Sequence, residues 1–168
     1  MTPAYLDRFG GIGRLYGREG LQRLHDAHVC VVGIGGVGSW AAEALARSGI
    51  GAITLIDMDD ICVTNTNRQI HALNSTVGQL KTDAVAERLR GINPDCQVDA
   101  VMAFVTEKNM SELIHSGFDY VIDCIDSVKS KAALIAHCKR QKIRIVTTGA
   151  AGGQIDPTQI QIGDLNKT

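Results

Sequence analysis

The sequence predicts an α/β fold, a doubly wound and mainly parallel sheet with helices on both faces. Three observations predict it. Apolar, Val- and Ile-rich runs recur at 28–33, 52–57, 97–102, 119–123 and 143–148. Segments with helical character, 37–48, 78–92, 107–116 and 128–140, lie between them. The first run leads straight into Gly33-Ile34-Gly35-Gly36-Val37-Gly38, a glycine-rich link from strand to helix. Strands that alternate with helices across short links pair in parallel, and a parallel sheet must be covered on both faces. The glycine link adds a Rossmann-like character.

Taken in order, residues 1–27 form an N-terminal arm containing Gly10, Gly11, Gly13, Gly17 and Gly20. They read as a loop followed by a short helix over 18–26. Val29-Cys30-Val31-Val32 is the heart of the first strand. Ala41, Ala42, Ala44, Leu45 and Ala46 favour a helix directly after the glycine link. The second strand ends at Leu55-Ile56-Asp57. Leu80, Val85, Leu89 and Ile92 supply an apolar face to the next helix, and Asn93-Pro94 stops it. Ala150-Ala151-Gly152-Gly153 breaks the alternation, and Thr158 to Ile162 reads as one further strand. Residues 1–168 are expected to form one nucleotide-binding domain. Because no closing element follows Lys167-Thr168, the expectation is a piece of something longer.

Apolar residues make up 45% of the 168 and charged residues 21%, which suits a globular domain with a sizeable core. A formal charge of −1 gives no overall basic excess that would advertise nucleic-acid binding. Arg8, Arg14, Arg18 and Arg23 make the N-terminal arm locally basic, diluted by Asp7, Glu19 and Asp26. The five cysteines include no Cys-x-x-Cys pair, so spacing indicates no zinc site. An odd count without a framework fits a reducing compartment and a cytoplasmic location. Cys30 and Cys124 read as small buried hydrophobes. Met1 to Arg8 lacks the apolar core of a signal peptide, and no apolar run is long enough to span a bilayer.

One ordered set of residues carries chemistry. In Gly33-x-Gly35-x-x-Gly38 the glycines allow a tight turn, close approach of a phosphate and close helix packing. The helix N-terminus then offers free N–H groups to an anion. Asp57 follows Gly38 by 19 residues, where a carboxylate can accept from ribose hydroxyls. Asn65, Arg68 and Lys81 come next. A nicotinamide site needs no second pair of cations there, whereas a triphosphate does, because charge builds up on a leaving pyrophosphate. Each of these residues, taken singly, also reads as an ordinary surface or turn residue, and Arg68 and Lys81 are expected to be partly exposed. Asp123-Cys124-Ile125-Asp126-Ser127 closes the fourth strand. Its carboxylates suit Mg²⁺ bound together with phosphate oxygens, and Asp126 equally suits a helix N-cap. His71, His115 and His137 show no partner spacing and read as surface or packing residues, and Trp40 reads as core.

The combination resembles the ubiquitin-activating-enzyme-like adenylyltransferases, which include the activators of the sulfur carriers of thiamine and molybdopterin synthesis. The matching pieces are Arg8-Phe9, Arg14, Gly33 to Ser39, Asp57-Met58-Asp59, Asn65, Asn67-Arg68-Gln69, Val77 to Lys81, Ile92-Asn93-Pro94 and Asp123 to Asp126. Within that family the wording is most similar to the tRNA threonylcarbamoyladenosine dehydratases, notably Gly38 to Arg47, Thr64 to Ala72 and Gly152 to Thr158. The resemblance implies ATP and Mg²⁺ as cofactors. It implies Gly33, Gly35, Gly36, Gly38, Asp57 and Asp59 as the nucleotide-binding set, with Asp57 on the ribose. Asn65, Arg68 and Lys81 would hold the triphosphate, Asp126 would hold Mg²⁺, and Arg14 would reach the phosphates of a neighbouring subunit in a homodimer. The Arg8-Phe9 to Arg14 spacing is longer than in the carrier activators. The implied partner is tRNA carrying threonylcarbamoyladenosine, with a sulfur-carrier or cysteine-desulfurase system protein as a further partner. Three rival readings stand beside it: adenylation of a ubiquitin-like carrier's C-terminal glycine, an NAD-dependent oxidoreductase, and a nucleotide-binding module without activity of its own.

Overall fold

Along β1 (His28–Val32), alternate side chains enter two different cores. Val29 and Val31 go to one face of the sheet, Cys30 and Val32 to the other. The computed structural model describes residues 1–149, 152–153 and 155–167. It contains four further strands, β2 (Ala52–Asp57), β3 (Gln97–Met102), β4 (Tyr120–Asp123) and β5 (Ile145–Thr147). All pair in parallel in the order β3-β2-β1-β4-β5. The chain steps outward from β1 to β3 and then returns to pair β4 with the free side of β1. That reversal opens a crevice at the carboxyl ends of β1 and β4, where open α/β sheets bind their ligands.

Helices α2 (Gly38–Arg47) and α3 (Lys81–Ile92) cover one face, burying Ala42, Ala46, Val85 and Leu89 against Val31, Ile53 and Leu55. The other face is covered by α4 (Met110–Leu113) and α5 (Val128–Gln141), through Met110, Leu134 and Cys138 against Cys30, Val32 and Val121. Buried Glu43 ties α2 to α3, accepting from Arg88 Nε at 2.5 Å and from Arg47 Nε at 2.7 Å. The doubly wound parallel sheet is therefore as expected, with β2 and β3 falling on their expected residues.

Four expectations need correction. The N-terminal arm is a helical hairpin, α1 (Pro3–Asp26), which reverses at Gly17 (φ 74°). Thr2 caps it and Pro3 opens it, while Tyr5, Phe9 and Leu21 form a buried cluster that offsets the low helix propensity of the glycines. The helix expected over 107–116 shrinks to α4. Asn109 Oδ1 accepts from the N–H and hydroxyl of Thr106, making a turn where the first helical turn was expected. No strand forms over Thr158–Ile162 among the described residues. Asp156 accepts from the Thr158 N–H and Pro157 opens a 3₁₀ turn, so local turn chemistry prevails. Trp40 is 54% exposed and lies outside the core. The expected break at Ala150-Ala151 lies outside the described residues. No helix among those described is long and apolar enough to cross a membrane.

The hairpin is fastened by the Tyr5 hydroxyl, which donates to the Gly49 carbonyl at 2.6 Å. Gly49 has φ 82°, and a methyl group there would run into the Tyr5 hydroxyl and the Phe9 ring. Gly49→Ala should therefore cost about 2 kcal/mol or more of stability. Urea unfolding measures it, and an unchanged midpoint would mean that this anchor carries little of the docking.

Candidate nucleotide-binding site

The turn from β1 into α2 is shaped by what it cannot hold. Gly33 has φ 87°, and a Cβ there would meet the Cys124 carbonyl, just beyond β4, at 3.0 Å. A Cβ at Gly38 would overlap the Gly33 carbonyl oxygen. Between them, the backbone of Ile34 is held from two sides. Its N–H donates to Asp57 Oδ2 at 2.6 Å, and its carbonyl accepts from His71 Nε2 at 2.9 Å. Asp57 Oδ1 accepts from the Asp59 N–H at 2.8 Å, so the end of β2 and the glycine turn form one unit. His71 is buried and does packing work, as expected, but its bond to the turn was not legible from spacing.

The connection from β2 to α3 brings in the polar set. Asn65 is buried, and its Oδ1 accepts from the Cys62 N–H at 2.9 Å, closing the 3₁₀ turn Val63–Asn65. Arg68 is exposed, and its aliphatic stem lies over Gly36, 3.3 Å from where a Cβ would be. Its Nη1 donates to the Thr64 carbonyl at 3.1 Å and to Asn67 Oδ1 at 2.9 Å. Trp40 Nε1 donates to the Arg68 carbonyl at 3.0 Å, which explains an exposed tryptophan on α2. Neither the tryptophan's role nor the close fit of Arg68 over Gly36 had a signal in the sequence.

Lys81 departs from expectation. It is 6% exposed, and its Nζ donates to Asp59 Oδ2 at 2.7 Å. The bridge between Asp60 and Leu80 brings the start of α3 against the chain leaving β2, which covers the lysine stem. The ammonium therefore faces a carboxylate that is itself 54% exposed.

The two acids after β4 separate. Asp123 is fully buried and accepts from Lys131 Nζ at 2.7 Å, Thr147 Oγ1 at 2.5 Å and the Ile125 N–H at 3.0 Å. Its oxygens are committed inward, so it does not join a metal set. Asp126 is exposed, and the N-cap of α5 is Ser127, without a side-chain cap bond. The capping role considered for Asp126 is therefore absent. No group of three metal-ligating side chains forms among the described residues. A single free carboxylate fits Mg²⁺ held chiefly by phosphates and water. Arg14 is exposed on α1 near its reversal at Gly17.

A glycine turn, an anchored acid, a polar connection and a buried lysine thus converge on the carboxyl ends of β1 and β2. The ThiF family model matches residues 11–166, and the chain belongs to that family. It is 66% identical to the tRNA threonylcarbamoyladenosine dehydratase of Escherichia coli strain K12 over 168 residues, all of this chain and 63% of that protein. The Haemophilus influenzae enzyme of the same name is 62% identical over 164 residues, 98% of this chain and 63% of its own. The crystal structure of the E. coli dehydratase, TcdA, in complex with ATP superposes with a TM-score of 0.97, covering 99% of this chain and 69% of that one. The chain thus spans somewhat under two thirds of the length of these two curated relatives.

Two measurements test this geometry. Asp123→Ala strands the Lys131 ammonium and should cost about 3 kcal/mol, whereas Asp126→Ala should leave unfolding unchanged. Equal effects would contradict the separation of the two acids. Burial lowers the His71 pKa below its ordinary value of 6.5; the Ile34 hydrogen bond opposes this and the Lys81 charge reinforces it. The neutral ring is the folded form, so its contribution is complete above about pH 6.5 and is lost as pH falls through the lower folded value. His28, whose pKa burial also lowers, adds to the same slope. Stability should decline below pH 6.5, and His71→Phe should flatten part of that decline. Parallel pH profiles would show that His71 does not contribute.

Proposed function

We propose that this chain is the adenylating domain of an enzyme that uses ATP to cyclise threonylcarbamoyladenosine in tRNA. The observation that carries this is the pair of cations that follows β2: Arg68 lying on the glycine turn and Lys81 buried at the start of α3. Hydride transfer leaves both unexplained. The reading is supported by 66% identity to a dehydratase solved with ATP.

In this reading the ribose meets Asp57, whose carboxylate is pre-set by the Ile34 and Asp59 N–H groups. The phosphates lie along Gly35 and Gly36 at the start of α2, with Asn65, Arg68 and Lys81 around them. Asp126 would hold Mg²⁺, which adds positive charge to the phosphate oxygens when bound. The substrate carboxylate attacks the α-phosphate, and pyrophosphate departs. An atom of the same threonylcarbamoyl side chain then attacks the activated carbonyl and expels AMP, closing a ring with net loss of water. An internal nucleophile has a high effective concentration, so the protein needs to activate and orient rather than to supply a nucleophile. Electrostatic stabilisation by Arg68 and Lys81 is the catalytic contribution of this chain. Arg14, on an exposed hairpin, is suited to reach the site of a second subunit, with a planar donor for phosphate. Free cysteines accord with a cytoplasmic setting.

Calorimetry should show binding of ATP and none of NAD. Mass spectrometry of tRNA nucleosides should show the cyclised product only with ATP. Arg68→Ala and Lys81→Met should each slow adenylation about 100-fold or more. Wild-type turnover in either would remove the triphosphate assignment. Asp126→Asn should raise the Mg²⁺ requirement without changing metal-free ATP binding. Mixing inactive Arg14→Ala and Lys81→Met chains under subunit exchange should restore about a quarter of wild-type activity, because half the dimers are mixed and each has one intact site. No recovery would place Arg14 outside the partner's site.

A further inference from the structure

The charge of this chain is unevenly distributed. Residues 126–149 hold six lysines and arginines against one carboxylate, a local +5 within a total of −1, so the remainder stands at −6. Lys131 of these turns inward to Asp123. Most of the others lie on or just after α5. Its buried side is Leu134, His137 and Cys138, and its exposed stripe is Lys129, Ala132, Ala136, Lys139 and Arg140 at helical spacing. The stripe is cationic at both ends with only alanine between them, so a bulky backbone can approach closely. From Lys129 to Arg140 the helix rises about 16 Å.

A groove accompanies the stripe. Two adjoining hollows of about 430 and 400 Å³ run between α5 and the segment before and through α4. They share Glu107, Met110 and Ala133, with Lys108 and Lys129 at one end and Arg140 at the other. Glu107 is the one carboxylate among the described lining residues. Ser130 and Thr106 add hydroxyls at the end nearest Asp126. The groove therefore starts beside the nucleotide site, where α5 begins, and leads away from it along the helix. Neither the ATP site nor the packing of α5 on the sheet uses these cations.

We propose that this α5 groove is the docking surface for the sugar–phosphate backbone of the RNA substrate, leading the strand to the nucleotide site. The assignment rests on the tRNA reading above. Lys129, Lys139 and Arg140 contact phosphates, and the alanines let the strand lie close. These contacts are independent of base sequence and lose strength as salt rises, since each neutralised phosphate releases counterions.

The test measures binding of bulk tRNA by the full-length protein as a function of salt. A K129A/K139A/R140A variant is compared with wild type and with an R8A/R18A/R23A variant that loses equal charge from exposed sites on α1. Binding by the α5 variant should fall at least 10-fold at low salt. The slope of log affinity against log salt should drop by about two units, at roughly 0.7 per phosphate contact. The α1 variant should keep the wild-type slope. Unchanged ATP binding, thermal unfolding and sedimentation confirm that the α5 variant is folded and assembled. An α5 slope equal to wild type would overturn the docking surface and leave the tRNA reading intact. Equal losses in both variants would overturn it as a general charge effect, and altered sedimentation would reassign the face to subunit contact. If wild-type protein binds no tRNA, the tRNA reading itself falls.

Discussion

The backbone at Gly33 and Gly38 has no room for side chains, and the rest of the site is built against those two positions. Gly38 sits on the Gly33 carbonyl and Gly33 on Cys124, so β1, α2 and the end of β4 approach as closely as bare backbone allows. This contact brings the ends of two strands and the start of a helix together. It also explains why Asp57 and His71 can each reach one backbone group of Ile34. A turn that was merely flexible would need a ligand to organise it. Here the neighbouring elements clamp it, which is the preorganisation that electrostatic stabilisation requires.

Much of the fold was legible because a parallel sheet buried on both faces has a direct imprint in the sequence, as continuous apolar runs. That is why 52–57 corresponds to β2 without adjustment; β3, an edge strand with Gln97 and Asp99 exposed, lacks that imprint, although 97–102 also matches it. The glycines, Asp57 and the connection through Asn65 and Arg68 were legible because their spacing follows the chain. What escaped depends on contacts between distant segments. Trp40 looks like a core residue until Arg68 supplies an exposed carbonyl for its indole N–H. Asp123 and Asp126 look alike until Lys131 and Thr147 claim one of them. The N-terminal glycines suggest a loop because helix propensity is local, whereas the anchor that makes them helical, Tyr5 on Gly49, spans 44 positions.

The same separation governs charge. A net charge near zero concealed a basic stripe on α5, because the acids that balance it lie in other parts of the chain. Whole-chain charge informs about solubility and encounter rates, not about what any one face attracts.

The ion pair between Lys81 and Asp59 has a consequence of its own. A buried ammonium without a partner would ordinarily collect whatever small anion the solution offers. Here the neighbouring carboxylate already meets it at 2.7 Å, so a passing anion encounters a pair with little net field. To reach the lysine, an incoming group must displace Asp59, a side chain with enough exposure to swing into water. A lone phosphate offers few contacts with which to drive that exchange, whereas the polyphosphate of the proposed function would gain its attachment along the glycine turn and Arg68 first. In the proposed reading the pair would work as a threshold, discriminating ligands by how many points they can grip at once rather than by charge alone.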